Sequence, residues 1–185
     1  MKISALSGVL IAASCMLSVQ APVNAQDLPP ELRVKLPVVS LAGQAKLRFF
    51  GFAVYQASLW VSPSFSESAY EQNSFALDLA YLRDFKGADI ATRSLTEMQR
   101  QATLPAEQQT RWESQMRAIF PDVKAGDRIT GVNQPGVGAA FWHNGRLIGE
   151  IRDPVFSRLF FGIWLATKTS EPALRLALLA QAKAK

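Results

Sequence analysis

Apolar positions along the chain alternate in some stretches and recur at helical spacing in others. Phe75, Leu77, Leu79 and Tyr81 share one face of a half-buried strand over residues 75–82. Residues 34–42, 45–50 and 52–61 read as strands, the last two meeting at Gly51. Residues 63–73 are polar and serve as a loop or a short helix. Ile90, Leu95 and Met98 punctuate a polar helix over 88–102, and Trp112, Met116 and Ile119/Phe120 form the core stripe of a second helix that starts near Pro105 and stops at Pro121. After a turn at 124–127, residues 128–134, 139–142 and 146–151 read as three short strands, the last two joined by an Asn144-Gly145 hairpin. Asp153-Pro154 is a helix start, with Asp as N-cap and Pro in the first helical position. The helix that follows, 154–165, carries only Arg158 as a charge, so it is buried centrally or lines a cavity. Ser170 caps a final amphipathic helix from 171 to about 182, where Lys183 and Lys185 suit a helix C-terminus. Strands, two helices, strands and two helices, without regular alternation, predict an α+β domain with a mainly antiparallel sheet.

The first residues do not belong to that domain. Lys2, an uncharged apolar run over 3–19 and small residues at Val23-Asn24-Ala25 make residues 1–25 a cleavable secretory signal peptide. A lipoprotein signal at Cys15 is the alternative, although Ala12-Ala13-Ser14 lacks the large aliphatic residue expected there. Cleavage after Ala25 removes Cys15 and leaves a disulfide-free exported chain, which suits a periplasmic domain stabilised by core packing. Residues 26–42 then form a loose leader and first strand, and 43–182 a single domain. No stable membrane span remains after cleavage.

Charge and ligand chemistry narrow the function. Without Lys2, 19 basic residues face 15 acidic ones, a net charge of +4, with no basic run, so no nucleic-acid partner is expected. One histidine, His143, and no mature cysteine argue against a metal site, and a histidine beside a hairpin tip is a surface residue rather than a catalytic base. No P-loop or GxGxxG is present and no cofactor is expected. The apolar stretch 47–61 contains one cation, Arg48. A guanidinium there must reach water, pair with an acid or face a cavity, because a buried unpaired charge costs several kcal/mol. Facing a cavity, it would receive an amphipathic anion.

Several blocks appear in order: Gly43 through Arg48 to Tyr55-Gln-Ala-Ser-Leu-Trp60, then Tyr81-Leu-Arg-Asp84 and Phe120-Pro-Asp-Val-Lys-Ala-Gly-Asp127. Asn144-Gly145, Asp153-Pro-Val-Phe156 and Phe161-Gly-Ile-Trp-Leu165 complete them. Together they resemble the bacterial branch of the chalcone isomerase-like family. The resemblance implies an open-faced β-sandwich: a large curved antiparallel sheet with helices layered on one side and a ligand cleft between. Plant enzymes of that family cyclise chalcones, using an Arg and a Thr at the sheet, a Tyr and an Asn on a helix, and a Thr or Ser on a late helix. Other plant members bind fatty acids without catalysis through an Arg and a Tyr. Carried over, Arg48 matches the cleft Arg, Tyr55 falls at the Thr position and Ser157 falls near the late Thr or Ser. The helical Tyr and Asn have no match. Arg83-Asp84 has a structural role, as a strand-end ion pair or a helix-entry contact.

Three functions remain open. The first is non-catalytic binding of an apolar anion such as a fatty acid, with Arg48 and Tyr55 on the carboxylate and Phe49, Phe50, Phe52, Phe156, Phe160 and Trp164 as the wall. The second is an intramolecular lyase or isomerase of chalcone isomerase type, where the substrate supplies its own phenolate and the protein supplies desolvation and charge. A polar hydroxyl from helix 88–102 facing Arg48 would mark it. The third is a periplasmic accessory protein whose helices bind a protein partner.

Overall fold

The computed structural model describes Pro29, Leu32, Leu36 and residues 38–182. The expected signal peptide, Cys15 and the start of the expected first strand lie outside the described residues. Six strands, β1 (Ser40–Phe49), β2 (Phe52–Val61), β3 (Phe75–Tyr81), β4 (Arg128–Gln134), β5 (Gly138–His143) and β6 (Arg146–Ile151), form one antiparallel sheet in sequence order. Helices α1 (Gly87–Gln99) and α2 (Ala106–Ile119) lie between β3 and β4, and α3 (Pro154–Leu165) and α4 (Pro172–Leu178) follow β6. A short 3₁₀ helix, Glu67–Gln72, joins β2 to β3.

The sheet sorts its side chains by the two-residue period. Ala57, Leu59, Phe75, Leu77, Leu79, Tyr81, Ile129 and Phe141 face the helices and build the main core. Trp60, Ala76, Val132, Ala140 and Trp142 face the other way and are covered by Leu32 and Leu36. On that outer face Asp78 is satisfied by Thr130 Oγ1, which donates at 2.8 Å, and by the Arg128 guanidinium at 2.8 Å.

Two expectations are corrected. Residues 34–42 and 45–50 are not separate strands: β1 runs through from Ser40 to Phe49, with a bulge between Leu41 and Gly43. Gly43 does not break the strand. It lets α4 approach, since a Cβ there would stand 2.1 Å from the Ala177 carbonyl. The last helix is shorter than expected, and Glu171 rather than Ser170 is its N-cap.

The helix termini explain several sequence blocks. Asp153 Oδ1 accepts from the backbone N–H of Val155 and Phe156, the expected N-cap, while its Oδ2 accepts from Trp112 Nε1 at 3.0 Å and Arg111 at 3.2 Å, which fastens α2 to the start of α3. Asp122 accepts from Gly87 N at the start of α1 and pairs with Lys86 at 2.7 Å. The Lys86 hydrogen bond, helped by the Gly87 N–H, holds the Asp122 carboxyl below the usual carboxylate range. Asp84 accepts from Ala125 N in the turn at 124–127, and Arg83 lies over the Phe52 ring at 5.1 Å, so this block ties the end of β3 to that turn and to the start of β2.

Candidate functional site

α3 is apolar enough to be buried along most of its length, and it lies against the sheet, packing on β4 and β5. A ladder of rings joins the two layers: Phe156 stacks on Phe160 at 5.4 Å, and Phe160 meets the edges of Phe141 and Trp164 at 5.1 and 5.6 Å. α4 packs on β1 and β2, and α1 packs on α2 and α3. Between α1, α3, α4 and strands β1–β4 this arrangement leaves a cavity of about 460 Å³.

The walls are apolar. Leu47, Val54, Leu79, Ile129, Phe160 and Ile163 contribute, and Phe49, half-exposed, also belongs to the lining. Two polar groups sit inside: Trp164 Nε1 donates to Tyr55 Oη at 2.9 Å. Burial pushes the Tyr55 hydroxyl well above its ordinary range, an effect the Trp164 hydrogen bond partly opposes, so the group stays protonated. Because Oη is the acceptor in that bond, its own proton remains for something else. Tyr81, also lining the cavity, is raised in the same direction by burial, and its ring meets that of Tyr55 edge-on at 6.1 Å.

Four charged groups line the rest: Asp89, Arg93 and Glu97 on α1, and Glu171 before α4. Arg93 pairs with Glu97 at 2.7 Å, and Glu97 also approaches Arg100 at 3.6 Å. Ser94 lines the cavity, but its hydroxyl donates to the Ile90 carbonyl at 2.8 Å.

The expected site residues divide. Tyr55, Phe160 and Trp164 are brought together in the cavity. Arg48 is not: it is exposed, and Nη1 donates to the Gly51 carbonyl at 3.2 Å. The pleat explains this, because Leu47 and Phe49 line the cavity and the intervening residue points to the other face. Phe50 sits at the tip of the β1–β2 turn and is 86 % exposed. Ser157 is buried and donates to Asn133 Oδ1 at 2.6 Å, part of a network in which Asn133 Nδ2 donates to the Glu71 and Asn73 carbonyls. It borders a separate concavity beside Pro154 and Arg158. Phe156 is core, and Phe52 lies under Arg83. His143 sits 3.6 Å from Asp127 beside the Asn144-Gly145 turn. Among the described residues no cluster of three or more His, Cys, Asp or Glu could hold a metal, and no helix is long and apolar enough to cross a membrane.

Sequence reasoning missed Arg93, the one cation among the described lining residues. The signal was present: Ile90, Arg93, Ser94 and Glu97 follow the i, i+3, i+4, i+7 spacing of one helix face.

An α+β fold with a six-stranded open antiparallel sheet, helices on one face and an apolar cavity between them defines the class. The chain belongs to the chalcone isomerase-like family, whose signature it matches over residues 20–180. The crystal structure of a fatty-acid binding protein from Arabidopsis thaliana has the same fold: TM-score 0.59 at 11% sequence identity, over 78% of this chain and 88% of that one. No curated protein sequence matches the chain.

Proposed function

We propose that this protein is an exported, periplasmic, non-catalytic binder of an apolar small molecule with an anionic head, such as a fatty acid. The observation that carries the reading is the cavity itself, about 460 Å³ and walled by aliphatic and aromatic groups, with a protonated hydroxyl inside. Tyr55 donates to the head group while Trp164 Nε1 fixes its orientation. Arg93 supplies positive charge in place of Arg48, in competition with Glu97. The plant protein that shares this fold is a fatty-acid binding protein, which supports the same reading. The signal-peptide pattern of residues 1–25 supports export.

Two observations favour binding over an isomerase reaction. The α1 residues facing the cavity are Asp89, Ile90, Arg93, Ser94 and Glu97, with neither the Tyr nor the Asn of the plant enzymes. The one α1 hydroxyl there, Ser94, is engaged with the Ile90 carbonyl.

The test is mass spectrometry of organic extracts from the protein purified from its native compartment, with Ile163→Trp, Arg93→Ala and Arg48→Ala beside it. An acidic lipid near one per chain is expected in the parent and in Arg48→Ala, reduced in Arg93→Ala and absent in Ile163→Trp, where the indole fills the cavity. A parent that carries no apolar molecule and binds none of a panel of fatty acids overturns the reading.

A further inference from the structure

The β1–β2 hairpin is built in a way that the cavity does not require. Its two-residue turn places Phe50 at φ 46 and Gly51 at φ 82, a primed turn whose first position normally takes Asn, Asp or Gly. A bulky ring is rare in that conformation. Phe50 is 86 % exposed, and its ring neighbour is Phe49, at 4.5 Å. Phe52, across the turn, is 63 % exposed beneath the Arg83 guanidinium.

The hairpin itself carries charge of one sign only. Residues 40–66 contain Lys46 and Arg48 and no acid, and Arg83 adds a third exposed cation. Asp84, beside Arg83, accepts from the Ala125 backbone. Exposed aromatics flanked by Lys and Arg are the composition of segments that rest in a bilayer interface, the rings at the headgroup boundary and the cations on lipid phosphates. The patch is continuous with the cavity, because Phe49 belongs to both.

We propose that this hairpin seats the protein on an anionic lipid bilayer, with Phe50 and Phe52 entering the interface and Lys46, Arg48 and Arg83 pairing with lipid phosphates. The cavity opening beside Phe49 then faces the membrane. Docking stands on the hairpin alone; its use for loading a lipid rests on the proposed function above.

The test uses the full chain in a Cys15→Ser background with an environment-sensitive fluorophore on Phe50→Cys or on Val137→Cys, which lies in the β4–β5 turn at the opposite end of the sheet. Vesicles are equal parts phosphatidylglycerol and phosphatidylcholine, or phosphatidylcholine alone. The expected result is a blue shift at position 50 on the anionic vesicles and none at 137, a contrast that isolates the hairpin from any binding by residues 1–25. Arg48→Gln with Arg83→Gln weakens the vesicle affinity read from this shift by roughly 25-fold, about fivefold for each cation. In the chain labelled at 137, Phe52→Ser leaves fatty-acid affinity in solution unchanged. A label at 50 that stays in water on anionic vesicles, or shifts equally at both positions, overturns the proposal. So does a shift at 50 that grows with protein concentration without vesicles, which assigns the patch to a second copy of the chain. A chain that docks but binds no fatty acid refutes the binding function alone.

Discussion

Raising the pH tests the packing of the whole fold, because the chain has three tyrosines and all three are buried or line the cavity. Burial is the largest cause of each shift. It pushes Tyr70 up to about 12 and Tyr55 and Tyr81 further. Unfolded tyrosine ionises near 10. A group whose pKa is raised on folding contributes its full stability below the unfolded value and loses it as pH climbs through the folded one, so the window opens near pH 10. For Tyr70 the two-unit rise is worth about 3 kcal/mol, a large part of the roughly 5–15 kcal/mol that holds a domain folded. Ionisation also removes the proton Tyr70 donates to the Arg158 carbonyl at 2.9 Å, and with it the bond that fastens the 3₁₀ helix to α3. Tyr55 and Tyr81 add to the loss in the same direction. The assay follows tyrosinate absorbance and near-ultraviolet circular dichroism through one alkaline titration. Absorbance should stay flat through pH 10, and then tyrosinate should appear cooperatively as the aromatic dichroism collapses. Ordinary ionisation near pH 10 with the dichroism intact would refute the packing described for these rings.

Two further predictions concern the α2–α3 joint and the cavity. Asp153→Ala removes the α3 cap and strands the buried Trp112 Nε1, so urea unfolding should show a loss of about 2–4 kcal/mol; Asp153→Asn, which keeps a capping oxygen but presents an amide nitrogen that cannot accept from Trp112, should fall between the parent and the alanine variant, and a loss under about 1 kcal/mol in the alanine variant would mean the joint is not fastened there. If the cavity receives an acyl chain, two fatty acids differing by four methylenes within its length should differ by about 3 kcal/mol, roughly 200-fold in Kd by displacement titration. A flat series would place the chain outside the cavity.

Much of this architecture was legible because local pattern and tertiary burial agree. The alternation over Phe75–Tyr81 became the core face of β3, and the Trp112/Met116 stripe became the buried face of α2. Asp153-Pro154 started α3 where capping chemistry requires it. The β1 error has a physical cause: Gly43 resembles a strand break in sequence, but its missing side chain serves the approach of α4. The site was only partly legible. Arg48 drew attention as a cation in an apolar run, whereas the period of two had already put it opposite Leu47 and Phe49. Tyr55 and Trp164 are 109 residues apart, and only the folded sheet and α3 bring their polar atoms together. No spacing rule reports that contact.

Phe160 belongs both to the ring ladder of the core and to the cavity wall. The lining is therefore of two kinds. Around Phe160, Leu79 and Ile129 any change of shape is also a change in the interior, with penalties typical of core substitutions. Around Asp89, Arg93 and Glu171 side chains can be exchanged while the interior stays as it is. Divergence in ligand preference among proteins built this way should concentrate at that second set, with the depth of the chamber held nearly constant. An occupant filling the chamber would in turn raise the melting temperature of the entire domain, because the surface it touches is the same surface that holds sheet and helices together.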